Sequence, residues 1–160
     1  MKTFSLIITL ALVSAFAVFT QTSQSTEYVS AESTNDMPAT MHLDSIVLGA
    51  GCFWGAEKRY QAIPGVVDAI SGYADGKNVN ANYREITQKS NRYNINNHAE
   101  VVKVIYNRSK VSLETLLHHF YEGHNPTQLN RQGNDVGTQY RSTILTSNKQ
   151  QKEIAEKVTA

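Results

Sequence analysis

Gly49-Ala50-Gly51-Cys52-Phe53-Trp54-Gly55-Ala56-Glu57 holds the sole cysteine and the sole tryptophan of a 160-residue chain. Before it, Ser45-Ile46-Val47-Leu48 has the apolar character of a short buried strand. After it, Phe53, Ala56, Tyr60 and Ile63 recur at helical spacing until Pro64-Gly65 stops the run. Cys52 is therefore expected where a strand turns into a helix. The first amide groups of a helix are unpaired and carry partial positive charge, so a thiol there is favoured as thiolate, the nucleophilic form. The flanking glycines leave the sulfur room. On the residues alone two readings stay open: a reactive nucleophile, or the small buried hydrophobe that most free cysteines are.

Downstream, Val66-Val67-Asp68-Ala69-Ile70 reads as a strand, ended by Ser71-Gly72-Tyr73 and an Asp75-Gly76 turn. Residues 77 to 97 are asparagine-rich with little apolar period, so they read as a long loop, with Tyr83 inside it. Glu100 to Tyr106 is a strand of β-branched residues in which Glu100 shares a face with Val102, Val104 and Tyr106 while Lys103 points away. If that face is buried, desolvation raises the carboxyl pKa and Glu100 is held protonated, ready to give a proton; the other reading is a strand-end glutamate in water. A helix follows, with Ser112 as N-cap, Glu114 in the first turn and Leu113, Leu116, Leu117 and Phe120 as its apolar stripe, ended by Gly123 and Pro126. A polar loop from Asn125 to Arg141 leads to a last strand, Ser142 to Leu145, and a terminal helix from Lys149 to Val158 capped by Ser147. Strand, helix, strand, strand, helix, strand is the split βαβ pattern: an α+β two-layer sandwich with a ferredoxin-like βαββαβ core, a mixed or antiparallel sheet, helices on one face and long functional loops.

With 41% hydrophobic and 18% charged residues the chain suits one compact domain, and a net charge of +1 gives no field for nucleic acid. Lys2 precedes an apolar run from Phe4 to Phe19 broken only by Ser5, Thr9 and Ser14, which suits a secretory h-region with Ala15-Phe16-Ala17 as a cleavage-site match; an uncleaved N-terminal anchor is the alternative. The expected organisation is a signal peptide or anchor over 1–20, a flexible polar linker over 21–40 and a domain over 41–160. Export follows: a periplasmic, secreted or outward-facing anchored protein. An exported chain usually pairs its cysteines, so one left alone is reactive or awaits an outside partner.

Five ordered motifs then carry a resemblance. Gly51-Cys52-Phe53-Trp54-Gly55-Ala56-Glu57, Gly72-Tyr73, Tyr83-Arg84-Glu85, His98-Ala99-Glu100-Val101-Val102, and Asn130-Arg131-Gln132-Gly133-Asn134-Asp135-Val136-Gly137-Thr138-Gln139-Tyr140-Arg141-Ser142 together resemble the A-type peptide methionine sulfoxide reductases. The resemblance implies thiol-dependent reduction of methionine S-sulfoxide, protein-bound or free, by way of a cysteine sulfenic acid, as repair of oxidative damage. It implies that Cys52 attacks the sulfoxide sulfur, that Glu100 protonates the sulfoxide oxygen and that Tyr83 and Tyr140 hydrogen-bond it. Phe53 and Trp54 match the aromatic walls around the substrate's S-methyl group, although plain core packing also accounts for such residues. Asp135 matches a supporting residue, and Glu57 a motif carboxylate of structural role. No bound cofactor or metal is implied. The reductant is an external thiol (thioredoxin, glutaredoxin with glutathione, or dithiothreitol), the partners are oxidised methionine and a thioredoxin-like protein, and the expected state is a monomer.

The chain also departs from that family's pattern. The segment from Tyr83 to His98 is longer than the usual connection; Asn97 replaces the glycine of Gly-His-Ala-Glu; His124-Asn125-Pro126 stands where an Asp usually follows the His; and Gly72-Tyr73-Ala74-Asp75-Gly76 replaces a more glycine-rich turn. Family members commonly continue further with one or two recycling cysteines. Two expectations result, a single-cysteine form reduced directly by an outside thiol or a C-terminally truncated chain, and the short stretch after the last helix favours truncation. The residues also admit two other classes: a cysteine hydrolase pairing Cys52 with His98 or His124, which lacks the local signature of that class, and a non-catalytic metal-binding module using His118, His119 and His124, whose spacing does not suit a zinc helix. Asn107-Arg108-Ser109 fits a glycosylation pattern and is given no role.

Overall fold

Apolar residues at alternate positions of three neighbouring strands set the architecture. In the computed structural model, which describes residues 42–77 and 81–160, these strands are β1 (Leu43–Ala50), β2 (Val66–Ala74) and β3 (Ala99–Asn107), joined at one side by β6 (Ser142–Leu145). The sheet order is β2-β3-β1-β6. Every pairing in it is antiparallel: Leu43 opposes Asn107 and Leu48 opposes Val102 between β1 and β3, Ala50 opposes Ser142 between β1 and β6, and Ala74 opposes Ala99 between β2 and β3. Since β1 and β2 flank β3 and are joined through helix α1 (Phe53–Gln61), this is the split βαβ arrangement of an α+β, ferredoxin-like sandwich. The expected leader, its linker and Met41 lie outside the described residues.

Ile46, Leu48 and Ala50 of β1, Ala69 of β2, and Val102, Val104 and Tyr106 of β3 form the inner face. Against it pack Phe53, Ala56 and Tyr60 of α1, Leu113, Leu116, Leu117 and Phe120 of α3 (Leu113–Gly123), and Ala155 of α4 (Lys149–Thr159). The whole apolar stripe read from the α3 sequence is buried, and each such leucine contributes about 1.5–3 kcal/mol. Ser112 caps α3 as expected, accepting the Thr115 N–H at 3.0 Å.

Three local expectations are corrected. Strand β2 does not end at Ile70; it runs to Ala74, with Gly72 opposite Val101 and Tyr73 opposite Glu100, because pairing with β3 outweighs the weak strand preference of Ser71-Gly72. Among the described residues of the 77–97 stretch are a short helix α2 (Tyr83–Ile86) and a 3₁₀ turn (Lys89–Asn91). Asparagine side chains supply what an apolar period would: Asn82 caps α2 through the Glu85 N–H at 3.0 Å, Asn91 Nδ2 donates to Glu85 O at 2.8 Å, and buried Asn97 Nδ2 donates to Ile86 O at 3.0 Å. Finally, α4 is capped by Asn148, which accepts the Gln151 N–H at 2.9 Å, while Ser147 donates its N–H and hydroxyl to Gln151 Oε1 at 2.9 and 3.0 Å. Buried Gln151 in turn donates to Ser45 O at 2.9 Å, tying α4 to β1.

The polar loop after α3 folds back as a two-stranded hairpin, β4 (Arg131–Gln132) and β5 (Asp135–Val136), before the 3₁₀ turn Thr138–Tyr140. Arg141 closes this region. Its guanidinium donates to Asn97 O at 3.1 Å, Thr138 O at 2.8 Å, Asp75 O at 3.0 Å and the Asp75 carboxylate at 3.0 Å, so one side chain joins the end of β2, the start of β3 and the turn.

Candidate active site

Cys52 stands at the N-cap position of α1, between the end of β1 and the first helical residue, and its side chain makes no capping hydrogen bond. It is free and partly accessible. The approach to it is set by Gly51, whose φ of +87° lies in the left-handed region and where a Cβ would come within 2.7 Å of the Gln132 side chain. A tight turn here thus delivers the sulfur to the helix mouth, as the strand-to-helix reading expects.

Glu100 is brought to the same mouth by β3. It is 2% exposed, and its Oε2 accepts the Phe53 N–H at 3.1 Å, across 47 positions of sequence. Its pKa is raised, foremost by burial; the Phe53 N–H opposes the shift and the Asp135 charge adds to it. The buried alternative for Glu100 is the one observed. A carboxyl in this state holds its proton to higher pH than a solvated glutamate.

Two tyrosines face this carboxyl. Tyr140, from the 3₁₀ turn, has a raised pKa through burial first, then the charges of Glu100, Asp135 and Cys52, with a Gln139 hydrogen bond working against them. Tyr73, directly opposite Glu100 on β2, is raised by burial and then by Glu100, Tyr83 and Cys52. Both hydroxyls therefore keep their protons at any ordinary pH. These mutual influences bring Cys52, Tyr73, Tyr83, Glu100, Asp135 and Tyr140 together, although β1, β2, α2, β3, β5 and the turn each supply one of them or its neighbour. Tyr73 is the member sequence reasoning missed. Its place in the Gly72-Tyr73 motif was the available signal, but its position opposite Glu100 follows only once β2 extends past Ile70.

The aromatic pair divides its duties. Phe53 is buried in the core, with its ring centroid 5.3 Å from Tyr73 and 6.0 Å from Trp54, whereas Trp54 is 72% exposed. One ring thus anchors and the other stands open as a wall for an apolar group. Tyr83 is 63% exposed, at the open side. Glu57 accepts the Ser71 N–H at 2.8 Å and so ties α1 to β2. His98 and His124, the partners of the hydrolase reading, are engaged elsewhere. His124 bonds Phe120 O through Nδ1 at 2.6 Å and Ser142 Oγ through Nε2 at 2.8 Å, its pKa lowered by burial, and His98 Nδ1 accepts the Gly76 N–H at 3.2 Å. Among the described residues no three His, Cys, Asp or Glu side chains gather to hold a metal ion, and His119 pairs only with Glu122, at 3.9 Å on the surface.

The arrangement is a partly accessible thiol at a helix mouth, a buried carboxyl whose pKa is raised and phenol hydroxyls beside it, and an exposed indole. It suits nucleophilic attack by sulfur coupled to proton delivery. The family model for peptide methionine sulfoxide reductase matches residues 44–160. A curated relative, the MsrA peptide methionine sulfoxide reductase of Trichodesmium erythraeum, is 47% identical over 72% of this chain and 63% of its own length; that of Vibrio parahaemolyticus is 47% identical over 75% and 54%. The chain thus spans between about half and two thirds of the length of these relatives. Among solved structures, methionine sulfoxide reductase A of Corynebacterium diphtheriae superposes with a TM-score of 0.67 at 41% identity, covering 75% of this chain and 56% of that one. Reduced Mxr1 of Saccharomyces cerevisiae gives 0.65 at 30% identity, covering 74% and 67%.

Proposed function

The chain belongs to the peptide methionine sulfoxide reductase family, and on that premise we propose that it reduces methionine S-sulfoxide, free or within proteins, to methionine. The observation that carries this reading is the buried Glu100 carboxyl held by the Phe53 N–H beside Cys52. Attack of the Cys52 sulfur on the sulfoxide sulfur requires the sulfoxide oxygen to gain a proton, because an unprotonated oxide is a poor leaving group. Glu100 supplies it, with Tyr83 and Tyr140 donating hydrogen bonds to the same oxygen and Asp135 supporting them. The indole of Trp54, backed by Phe53, takes the S-methyl group.

Oxygen passes from the substrate sulfur, which is reduced by two electrons, to Cys52, which becomes a sulfenic acid. Two equivalents of an outside thiol then restore Cys52, releasing water and a disulfide. Within these 160 residues Cys52 is the sole cysteine, and the reductant proposed for its sulfenic acid is an external thiol: a thioredoxin-like protein, glutaredoxin with glutathione, or a small dithiol. We further propose that the domain acts after export, a reading supported by the apolar run from Phe4 to Phe19 behind Lys2.

Incubation with a methionine-S-sulfoxide peptide and dithiothreitol tests the reaction. Wild type is expected to form methionine, Cys52→Ser to form none and Glu100→Gln to be slowed severely. Absence of product from wild type, or unchanged product from Cys52→Ser, overturns the reading. Exchange of dithiothreitol for thioredoxin and its reductase then identifies the reductant.

A further inference from the structure

Next to the cluster around Cys52 lies a cavity of about 340 Å³ that shares Tyr83, Asp135 and Tyr140 with it and takes Lys89 and Arg92 into its wall. Both cations sit on the segment between α2 and β3. Among the described residues neither has an ion-pair partner. Arg92 is nevertheless held in place: its Nε donates to Val136 O at 3.2 Å, and its own carbonyl accepts the Thr138 N–H at 2.9 Å. That seats the cation-bearing segment on the same turn that carries Tyr140; the guanidinium carbon also lies over the Tyr93 ring, 5.9 Å from its centroid, and among the described residues the two terminal nitrogens donate no hydrogen bond, so their edge faces a ligand. Oxygen transfer between two sulfurs has no use for either charge, since no lasting anion forms on the substrate.

We propose that Lys89 and Arg92 form a carboxylate subsite, which selects substrates whose oxidised methionine carries a free α-carboxylate. The proposal rests on the reductase reading above. Three bonds separate the sulfoxide sulfur from the α-carbon, so an oxygen held by Tyr83 and Tyr140 brings the α-carbon end of the residue to the cavity these tyrosines line. A guanidinium fork matches a carboxylate in two parallel hydrogen bonds, and the lysine adds a point charge. Asp135, of opposite sign, suits the substrate nitrogen, as amide N–H or ammonium. Two sources offer this chemistry, the free amino acid and a C-terminal residue.

The test compares the S epimers of N-acetyl-methionine sulfoxide and its N-methylamide, which differ only at the carboxylate, with dithiothreitol as reductant. Because both cations are solvent-exposed, the acid is expected to exceed the amide in kcat/KM by about fivefold at low ionic strength. The difference is expected in KM, as for binding that is equal in ground and transition states, and to shrink with added salt. In the double variant Lys89→Gln, Arg92→Gln the ratio falls to near one; Lys89→Gln alone, on the surface, and Arg92→Lys, which keeps the charge but loses the fork, each lower it in part. Equal efficiency toward acid and amide in wild type, or an unchanged ratio in the double variant, overturns the subsite while leaving the reductase reading standing. No turnover of either compound removes the reductase reading and the subsite with it. Free methionine-S-sulfoxide, as a third substrate, exceeds the N-acetyl acid if the natural ligand is the amino acid and falls below it if it is a C-terminal residue; the carboxylate requirement stands in both cases.

Discussion

The proposed reaction asks Glu100 to give a proton, and burial beside Cys52 raises its pKa in the direction that this role needs. Glu100→Gln preserves the acceptor for the Phe53 N–H but removes the acid, so kcat is expected to fall about 10²- to 10⁴-fold in a peptide sulfoxide assay. In wild type the rate declines as pH rises through the raised pKa, and this limb is absent from the residual activity of the variant. The same shift acts on stability. A folded-state pKa above the unfolded one contributes stability that is present below the unfolded value and lost as pH rises through the folded value. Melting temperatures of the Gln variant therefore gain on wild type between acid and neutral pH. Tyr140→Phe, which deletes one donor to the oxide, is expected to lower kcat about 10- to 100-fold with a small change in KM. At this scale Cys52 was legible from its turn and Glu100 from the alternation of β3, which sets Lys103 apart from Val102 and Val104. Tyr73 was not, because its role depends on a cross-strand register that no local pattern carries.

Among the elements, α3 was the most plainly written: Ser112, the leucine stripe and Gly123 agree on its start, face and end. Ser112→Ala removes the acceptor for the Thr115 N–H and is expected to cost about 1 kcal/mol in urea unfolding. At α4 the sequence offers two capping residues in a row. Asn148 is the cap because Gln151 turns its carbonyl back to Ser147 and its amide to β1. The helix between residues 77 and 97 was illegible for a different reason: no apolar period announces α2, whose position is fixed by Asn82, Asn91 and Asn97 through backbone groups three, six and eleven positions away. Asn97 is also a departure from the family's glycine, and its buried amide now holds α2 against the start of β3.

For the whole molecule, the order of elements already implied a split βαβ sandwich, since alternation and helical spacing survive in every core segment. The strand order β2-β3-β1-β6 then puts β1 and β3, which deliver Cys52 and Glu100, side by side at the centre. Leu116, fully buried where α3 meets the sheet, is expected to lose about 3 kcal/mol on Leu116→Ala, with a lowered melting temperature as the readout. What the linear pattern could not convey is the closure of the site by Arg141, whose partners Asp75, Asn97 and Thr138 lie in three separate connections. Because a single guanidinium latches all three, none can swing out alone. Their backbone amides should exchange deuterium as one cooperative unit, and the tyrosines of β2 and the turn should lose their alignment with the acid in the same opening event.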